Sequence, residues 1–246
     1  MPNIRVTIAY KGTSYAGWQI QKNAKTIQGE IEKALNKISG ERIKLVASGR
    51  TDSGVHARAQ VANFNTKSKM PLPRLQLALN SKLPEDISII KIENVSPEFH
   101  SQFDTKSKIY RYVILNSSLS NPFTHPYYYK FPFKLNISLM KREAAYLLGK
   151  HDFKSFQAKT AFSKMKSTVR VIKRISIKKE KNLISIYIEA DGFLYNMVRN
   201  IIGTLIEIGR GYFPEGSMKK ILISRDRRKA GPTAPAKGLT LVKVFY

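Results

Sequence analysis

The run Gly49-Arg50-Thr51-Asp52-Ser53-Gly54-Val55-His56-Ala57 sets one carboxylate between two glycines, two residues after an arginine, in a chain where acids are scarce. Glycine permits backbone angles and close approaches that side chains resist, so a ligand reaches the Asp52 carboxylate without steric penalty. Two readings of Asp52 stand side by side. In one the carboxylate is placed for chemistry; in the other it accepts backbone hydrogen bonds in an Asx-turn between two strands. Desolvation would raise its pKa, and a cation is needed to counter that. Arg199, in Tyr195-Asn196-Met197-Val198-Arg199-Asn200, is the economical partner, because a guanidinium among apolar neighbours needs an anion. Its alternative is to snorkel to solvent. Tyr110, in Lys108-Ile109-Tyr110-Arg111-Tyr112, lies on an expected strand, where a ring either stacks on a nucleobase, for about 1–3 kcal/mol, or packs into a core. Tyr110 and Tyr112 share one strand face, so the pattern alone does not separate them.

Other chemistries lack their residues. The histidines His56, His100, His125 and His151 show no metal-ligand spacing, and the absence of cysteine removes disulfides and thiolate metal sites. Gly12 and Gly17 are not followed by the lysine of a phosphate-binding loop, and Gly49 with Gly54 does not fit a dinucleotide fingerprint. Ser48 and Ser53 flank the turn without a histidine in a nucleophile arrangement. Neither a metal nor a nucleotide cofactor is expected. His151 and Asp152 are read as a polar structural contact.

Forty-three Lys and Arg against 17 Asp and Glu give a formal charge of +26, which calls for a polyanionic partner, nucleic acid first among them. Dense basic stretches are Lys159, Lys164, Lys166, Arg170, Lys173 and Arg174, and then Lys219, Lys220, Arg225, Arg227, Arg228 and Lys229. Apolar residues at 42% and charged residues at 24% are those of a globular chain. Met1 to Arg5 lacks the apolar stretch of a signal peptide, and no segment nears the roughly 20 apolar residues of a membrane span. The expectation is a cytoplasmic protein with no membrane role.

The elements that must position these residues follow from periodicity. Ile4 to Tyr10 alternates as a strand, and Lys11 to Gly17 is a loop leading to Trp18. Ile27, Ile31, Ala34, Leu35 and Ile38 recur at helical spacing before Gly40. Strands are expected at 43–47 and 57–65, on either side of Asp52, a helix at 71–79 and a strand at 87–95. A second unit follows: a strand at 108–115, a helix at 137–148, a hairpin of 169–177 and 183–189 across Lys178 to Asn182, a helix from about Leu194 to Ile208, and a closing strand at 241–245. The fold class is α+β, as two similar units of mainly antiparallel sheet with helices on one side. The boundary falls near Ser101 to Lys106, giving units 1–104 and 105–246. The shared element order suggests duplication, but no residue-level repeat supports it.

Taken in order, these segments resemble the TruA family of tRNA pseudouridine synthases. The resemblance runs through Tyr15-Ala16-Gly17-Trp18-Gln19-Ile20-Gln21, Thr26-Ile27-Gln28, the Gly49 to Ala57 turn, Lys108 to Tyr112, and Gly149-Lys150-His151-Asp152-Phe153. It continues through Asp191-Gly192-Phe193-Leu194-Tyr195-Asn196-Met197-Val198-Arg199 and Ala234-Pro235-Ala236-Lys237-Gly238-Leu239. Ser53 departs from the alanine or lysine of relatives. The resemblance implies the pseudouridine synthase fold, its two sheets joined around a central basic cleft. It also implies isomerisation of uridine to pseudouridine at positions 38, 39 and 40 of the tRNA anticodon stem-loop, without metal or organic cofactor, by a homodimer holding RNA across both subunits. Asp52 then matches the catalytic aspartate, Tyr110 the tyrosine that stacks on the target base, and Arg199 the arginine paired with the aspartate. Arg50 matches the residue that fills the place of the flipped base, and Thr51, Gly54, His56 and Leu239 fall among the substrate-binding positions. The competing reading from composition is a non-catalytic basic RNA-binding or RNA-folding protein.

Overall fold

The computed structural model describes residues 1–123, 125–158 and 167–246. They divide into two compact units, Met1–Lys106 with Thr240–Tyr246, and Ser107–Leu239.

In the first unit, strand β1 (Asn3–Tyr10) follows the alternation of its β-branched residues. Helix α1 (Ile27–Ser39) begins where Thr26 accepts a hydrogen bond from the Gly29 amide and ends at Gly40, whose φ of 71° is the left-handed stop that glycine makes inexpensive. Its apolar stripe, Ile27, Ile31, Ala34 and Leu35, is buried. Strand β2 is only Val46–Ala47, although a strand over 43–47 is expected from the alternation. The physical reason lies on α1: Asn36 Oδ1 accepts from the Ile43 amide at 2.8 Å and Glu32 Oε1 from the Leu45 amide at 2.9 Å, so side chains take the donors a ladder would use. Strand β3 (His56–Asn65), helix α2 (Leu72–Lys82) and strand β4 (Ile87–Val95) complete this part. β1 lies between β4 and β3, antiparallel to both, with Val6 opposite Ala62 and Ile92.

The terminal strand (Leu239–Phe245) corrects the expected boundary. It was expected to close the C-terminal unit, but Thr240 and Leu241 pair in parallel with His56 and Ala57, which draws residues 240–246 into the first unit. A parallel partner 184 residues away leaves no local trace in sequence; only the completed sheet specifies it.

The second unit opens with strand β5 (Ser107–Leu115), followed by the short β6 (Tyr129–Lys130), helix α3 (Ile137–Ala145) and strand β7 (Gly149–Asp152). Then come strands β8 (Val169–Glu180) and β9 (Leu183–Ala190), and helices α4 (Met197–Gly209) and α5 (Ser217–Ser224). Its sheet runs β5-β9-β8-β7, all antiparallel, with β6 parallel to β5. The hairpin turn is shorter than the expected Lys178 to Asn182. Lys178, Lys179 and Glu180 remain paired with Ser185, Ile184 and Leu183, and Lys181 turns the chain at φ 53°. α4 starts at Met197 rather than Leu194, since Asn196 takes a left-handed φ of 58° just before it. Every residue of α4 except Arg199 is buried, which makes it the core helix of this unit. Among the described residues no helix is long and apolar enough to cross a membrane.

Candidate active site

The backbone around Asp52 is held by an adjacent loop. The Val55 amide closes a turn onto the Asp52 carbonyl at 3.2 Å, with Gly54 at φ 77°, a conformation that favours glycine. The Trp18 amide donates to the Thr51 carbonyl at 3.0 Å, and the Gly54 amide and Ser53 Oγ both donate to the Tyr15 carbonyl, at 3.4 and 3.0 Å. On the strand side, Gln60 Nε2 donates to the Gly49 carbonyl at 2.8 Å, and Ser48 Oγ to Gln60 Oε1 at 2.7 Å. The loop approaches so closely that only glycine fits at two places. A Cβ on Gly12 would stand 2.0 Å from the Val55 carbonyl oxygen, and one on Gly17, whose φ is 101°, would stand 2.7 Å from that of Thr51. The two glycines rejected as a phosphate-binding loop are therefore packing contacts of the Asp52 turn.

The buried polar groups beneath the turn are paired as burial demands. Tyr10 hydroxyl and Thr51 Oγ1 lie 2.8 Å apart, and burial pushes the Tyr10 pKa above its ordinary value, so the phenol keeps its proton. His56, 2% exposed, accepts from the Gly12 amide through Nδ1 at 3.1 Å, which leaves its ring proton on Nε2. Tyr15 donates its hydroxyl to Asp86, and burial, reinforced by that carboxylate, raises its pKa as well. Asp52 and Gly54 are half-buried, whereas Arg50 is exposed.

In the second unit, Tyr110 sits on β5 opposite Ile188, and the edge of one ring meets the face of another where Phe193 packs against it at 5.1 Å and 90°. Tyr112, on the same strand face, is fully buried and donates its hydroxyl to the Pro235 carbonyl at 2.8 Å. A Cβ on Gly238 would collide with the Tyr112 ring at 2.7 Å, so Tyr112 is tied into the segment ahead of the terminal strand. Of the two tyrosines that the alternation could not separate, Tyr112 is the more deeply packed, and Tyr110 is buried too, against Phe193. Tyr110 is 9% exposed.

Arg199 occupies the first turn of α4, half-buried. Its Nε donates to the Ala234 carbonyl at 2.7 Å and its Nη1 to Asn196 Oδ1 at 3.0 Å, so the guanidinium plane is fixed rather than trailing in solvent. Ala234 is itself clamped: its amide donates to the Arg199 carbonyl at 3.1 Å. The preceding segment is tied to the buried Asn200, whose Oδ1 accepts from Thr233 Oγ1 at 2.6 Å and from Arg227 Nη2 at 3.0 Å. Gly203 and Gly231 let this segment lie against the helix, since a Cβ on Gly203 would stand 1.7 Å from the Pro232 carbonyl oxygen. Asn200, Thr233 and Arg227 thus position Arg199, and the sequence reading missed them. The available signal was an asparagine inside an otherwise apolar helical pattern, which burial obliges to find partners.

Asp52, Arg50, Thr51, Gly54 and His56 lie together on the first unit's turn, while Tyr110 and Arg199 belong to the second; Leu239, 4% exposed, opens the terminal strand. His151 and Asp152 are structural. His151 Nε2 lies 2.7 Å from the Leu148 carbonyl oxygen, and Asp152 accepts from Thr168 Oγ1 at 2.5 Å and pairs with Arg225 at 3.1 Å. The second basic stretch is partly engaged within the fold. Arg225 holds Asp152, Arg227 holds Asn200, and Arg228 grips Asp226, whose pKa its hydrogen bonds pull down to about 2. Lys159, Lys164 and Lys166 of the first stretch lie outside the described residues. Among the described residues no cluster of three or more His, Asp or Glu is gathered as metal ligands would be.

A family model described as tRNA pseudouridine synthase matches residues 6–104 and 144–246, which leaves β5 and Tyr110 outside the matched segments. Over its whole length the chain is 46% identical to tRNA pseudouridine synthase A of Thermoanaerobacter sp. (strain X514), covering 100% of both. It is likewise 46% identical to the protein of that name from Clostridium acetobutylicum, and 48% identical to tRNA pseudouridine synthase A 2 of Clostridium perfringens, again with 100% coverage of both. Among solved structures, a Cbf5–Nop10–Gar1 complex matches 96% of this chain and 57% of that one at a TM-score of 0.35 and 12% identity, a likeness too faint to carry argument.

Proposed function

The chain belongs to the tRNA pseudouridine synthase family and is an isomerase, and from that premise we propose that it converts uridine to pseudouridine at positions 38, 39 and 40 of the tRNA anticodon stem-loop, with Asp52 as nucleophile. The observation that carries this reading is the preorganised turn: the backbone on both sides of Asp52 is locked by the Trp18 and Val55 amides and the Gln60 side chain. An acid used only as a turn residue does not require so many fixed neighbours. Family membership weighs against the reading as a non-catalytic RNA-binding protein.

The chemistry asks for extrusion of the target nucleotide, because a stacked base hides the atoms to be exchanged, at a cost of a few kcal/mol. Stacking on Tyr110 offsets part of that cost, and the exposed Arg50 fills the vacated place. Asp52 then attacks either the pyrimidine ring or the sugar carbon. Arg199 keeps it ionised. A cation in the first turn of α4 meets the positive end of the helix dipole, an unfavourable place that an anionic partner corrects, and this supports the pair. Thr51, His56 and Leu239 serve substrate binding through the backbone they anchor, and Gly54 through the turn it permits. The net charge of +26 supplies contact with tRNA phosphates, so binding weakens with salt at a log–log slope of about 0.7–0.9 per phosphate neutralised. In this reading the enzyme is a cytoplasmic homodimer that holds tRNA across both subunits.

Pseudouridine formation in tRNA by wild type and Asp52→Asn tests the assignment. Loss of product with tRNA binding retained is the expected outcome, and measurable turnover in the variant removes Asp52 as nucleophile. Mapping modified nucleosides in tRNA from cells with and without the protein tests positions 38 to 40.

A further inference from the structure

Lys108 stands two residues before Tyr110 on β5, on the strand face that also carries Tyr110, Tyr112 and Ile114. The register sets Ala190, Ile188, Ile186 and Ile184 of β9 opposite these four, and all of those β9 residues are fully buried. Lys108 is thus the charged member of a row otherwise made of rings and aliphatic carbon. Burying an ammonium costs free energy that a lysine on a solvated face avoids. Lys108 is half-buried, and burial pushes its amine down to about 8, so at pH 7 it is still mainly an ammonium and a hydrogen-bond donor. Residues two apart on a strand are separated by about 6–7 Å, within the reach of a lysine side chain to a base stacked on the neighbouring ring.

We propose that Lys108 is a further catalytic residue: its ammonium donates a hydrogen bond to a carbonyl oxygen of the extruded uracil and stabilises the negative charge that develops there. The inference rests on the role given above to Tyr110. In the isomerisation the C1′–N1 bond breaks, a C1′–C5 bond forms, C5 loses a proton and N1 gains one, so no oxidant or reductant is consumed. If Asp52 adds to the ring, the electron pair of the attacked double bond moves toward a ring carbonyl. If Asp52 attacks C1′, the pair of the C1′–N1 bond leaves with the base. Both routes make a ring oxygen anionic where the ground-state uridine is neutral, so a donor at that oxygen acts selectively on the transition state. A phosphate is the other anion an ammonium recognises, and the experiment separates the two.

The test measures single-turnover pseudouridine formation at saturating tRNA, and tRNA dissociation constants, for the full-length protein and its Lys108→Met and Lys108→Arg variants. Lys108→Met is expected to slow the reaction about 10²–10³-fold, the usual loss for one transition-state donor, while the dissociation constant stays within about threefold. Lys108→Arg is expected to recover at least about tenfold of that loss, because it retains a charged donor. A wild-type rate in Lys108→Met overturns the proposal. So does a loss confined to binding, which would make the ammonium a phosphate contact, and so does a rate loss that arginine does not relieve, which would make the role one of packing. Should Lys108→Met fail to fold, Lys108→Gln is measured in the same way under the same criteria. Asp52→Asn runs in parallel: turnover there undoes the reading of the site itself, whereas an inactive Asp52→Asn beside a wild-type Lys108→Met undoes only the role of Lys108.

Discussion

Asp52 lies on irregular backbone held mainly by main-chain bonds, whereas Arg199 projects from a buried helix and is held by one main-chain carbonyl and a cluster of side chains. Around Asp52 the restraints are mainly amide-to-carbonyl bonds from Trp18, Gly54 and Val55 and the close approach of Gly12 and Gly17, with the Gln60 side chain on the Gly49 carbonyl. Around Arg199 they are the Asn196 side-chain oxygen and the Ala234 carbonyl, both accepting from the guanidinium, and a segment pinned by Asn200, Thr233 and Arg227. Backbone bonds survive most substitutions, so the first device is vulnerable mainly where a missing side chain makes room. The second is vulnerable wherever one hydroxyl or amide is removed.

The largest effect is expected at Gly12. In Gly12→Ala the new methyl meets the Val55 carbonyl, a backbone atom that moves only with the residue whose amide closes the Asp52 turn. The expected cost is about 2–3 kcal/mol of stability, the upper range for overpacking, with loss of pseudouridine formation. Denaturant unfolding and product assay read both. Retained activity at full stability would show that the turn tolerates movement, and the contrast between the two devices would lapse.

How much of this was legible beforehand differs between the two regions for a physical reason. Helix α1 was visible because Ile27, Ile31 and Leu35 repeat on one face and Gly40 stops the helix, and β5 because its alternation is local. The Asp52 turn was visible as a motif, but its support was not. Gly12 and Gly17 act through contacts with residues some 35 to 45 positions away, and a lone loop glycine does not announce what approaches it. The β7 strand and α5 were missed because each is short and leans on its neighbours: Glu143 of α3 accepts the Gly216 and Met218 amides that start α5. The clamp on Arg199 was illegible because its members, Asn200, Arg227 and Thr233, converge only when the segment after α5 folds back on α4.

A smaller effect is expected from the clamp. Thr233→Val keeps the shape of the side chain and removes its hydrogen bonds to Asn200 and Arg227, worth about 0.5–1.5 kcal/mol each, so roughly a tenfold slower single turnover is expected with tRNA affinity unchanged. Arg199→Lys retains the charge but loses the planar fork, with about a hundredfold loss expected. If the clamp works through Arg199, the double variant is no slower than Arg199→Lys alone, whereas additive losses would mean that Thr233 acts elsewhere.

The smallest effect belongs to Ser53, the residue beside Asp52. Ser53 Oγ donates to the Tyr15 carbonyl at 3.0 Å, a side-chain restraint on a turn otherwise held mainly by main chain. Yet Ser53 is exposed, and the Gly54 amide donates to the same carbonyl, so the acceptor keeps a partner when the hydroxyl is gone. Ser53→Ala is therefore expected to change stability by no more than about 0.5 kcal/mol, as exposed substitutions generally do, and to leave the single-turnover rate within about twofold of wild type. A tenfold loss would mean that this hydroxyl, and not the main chain, aims the carboxylate, and Asp52 would then be held by the same kind of device as Arg199.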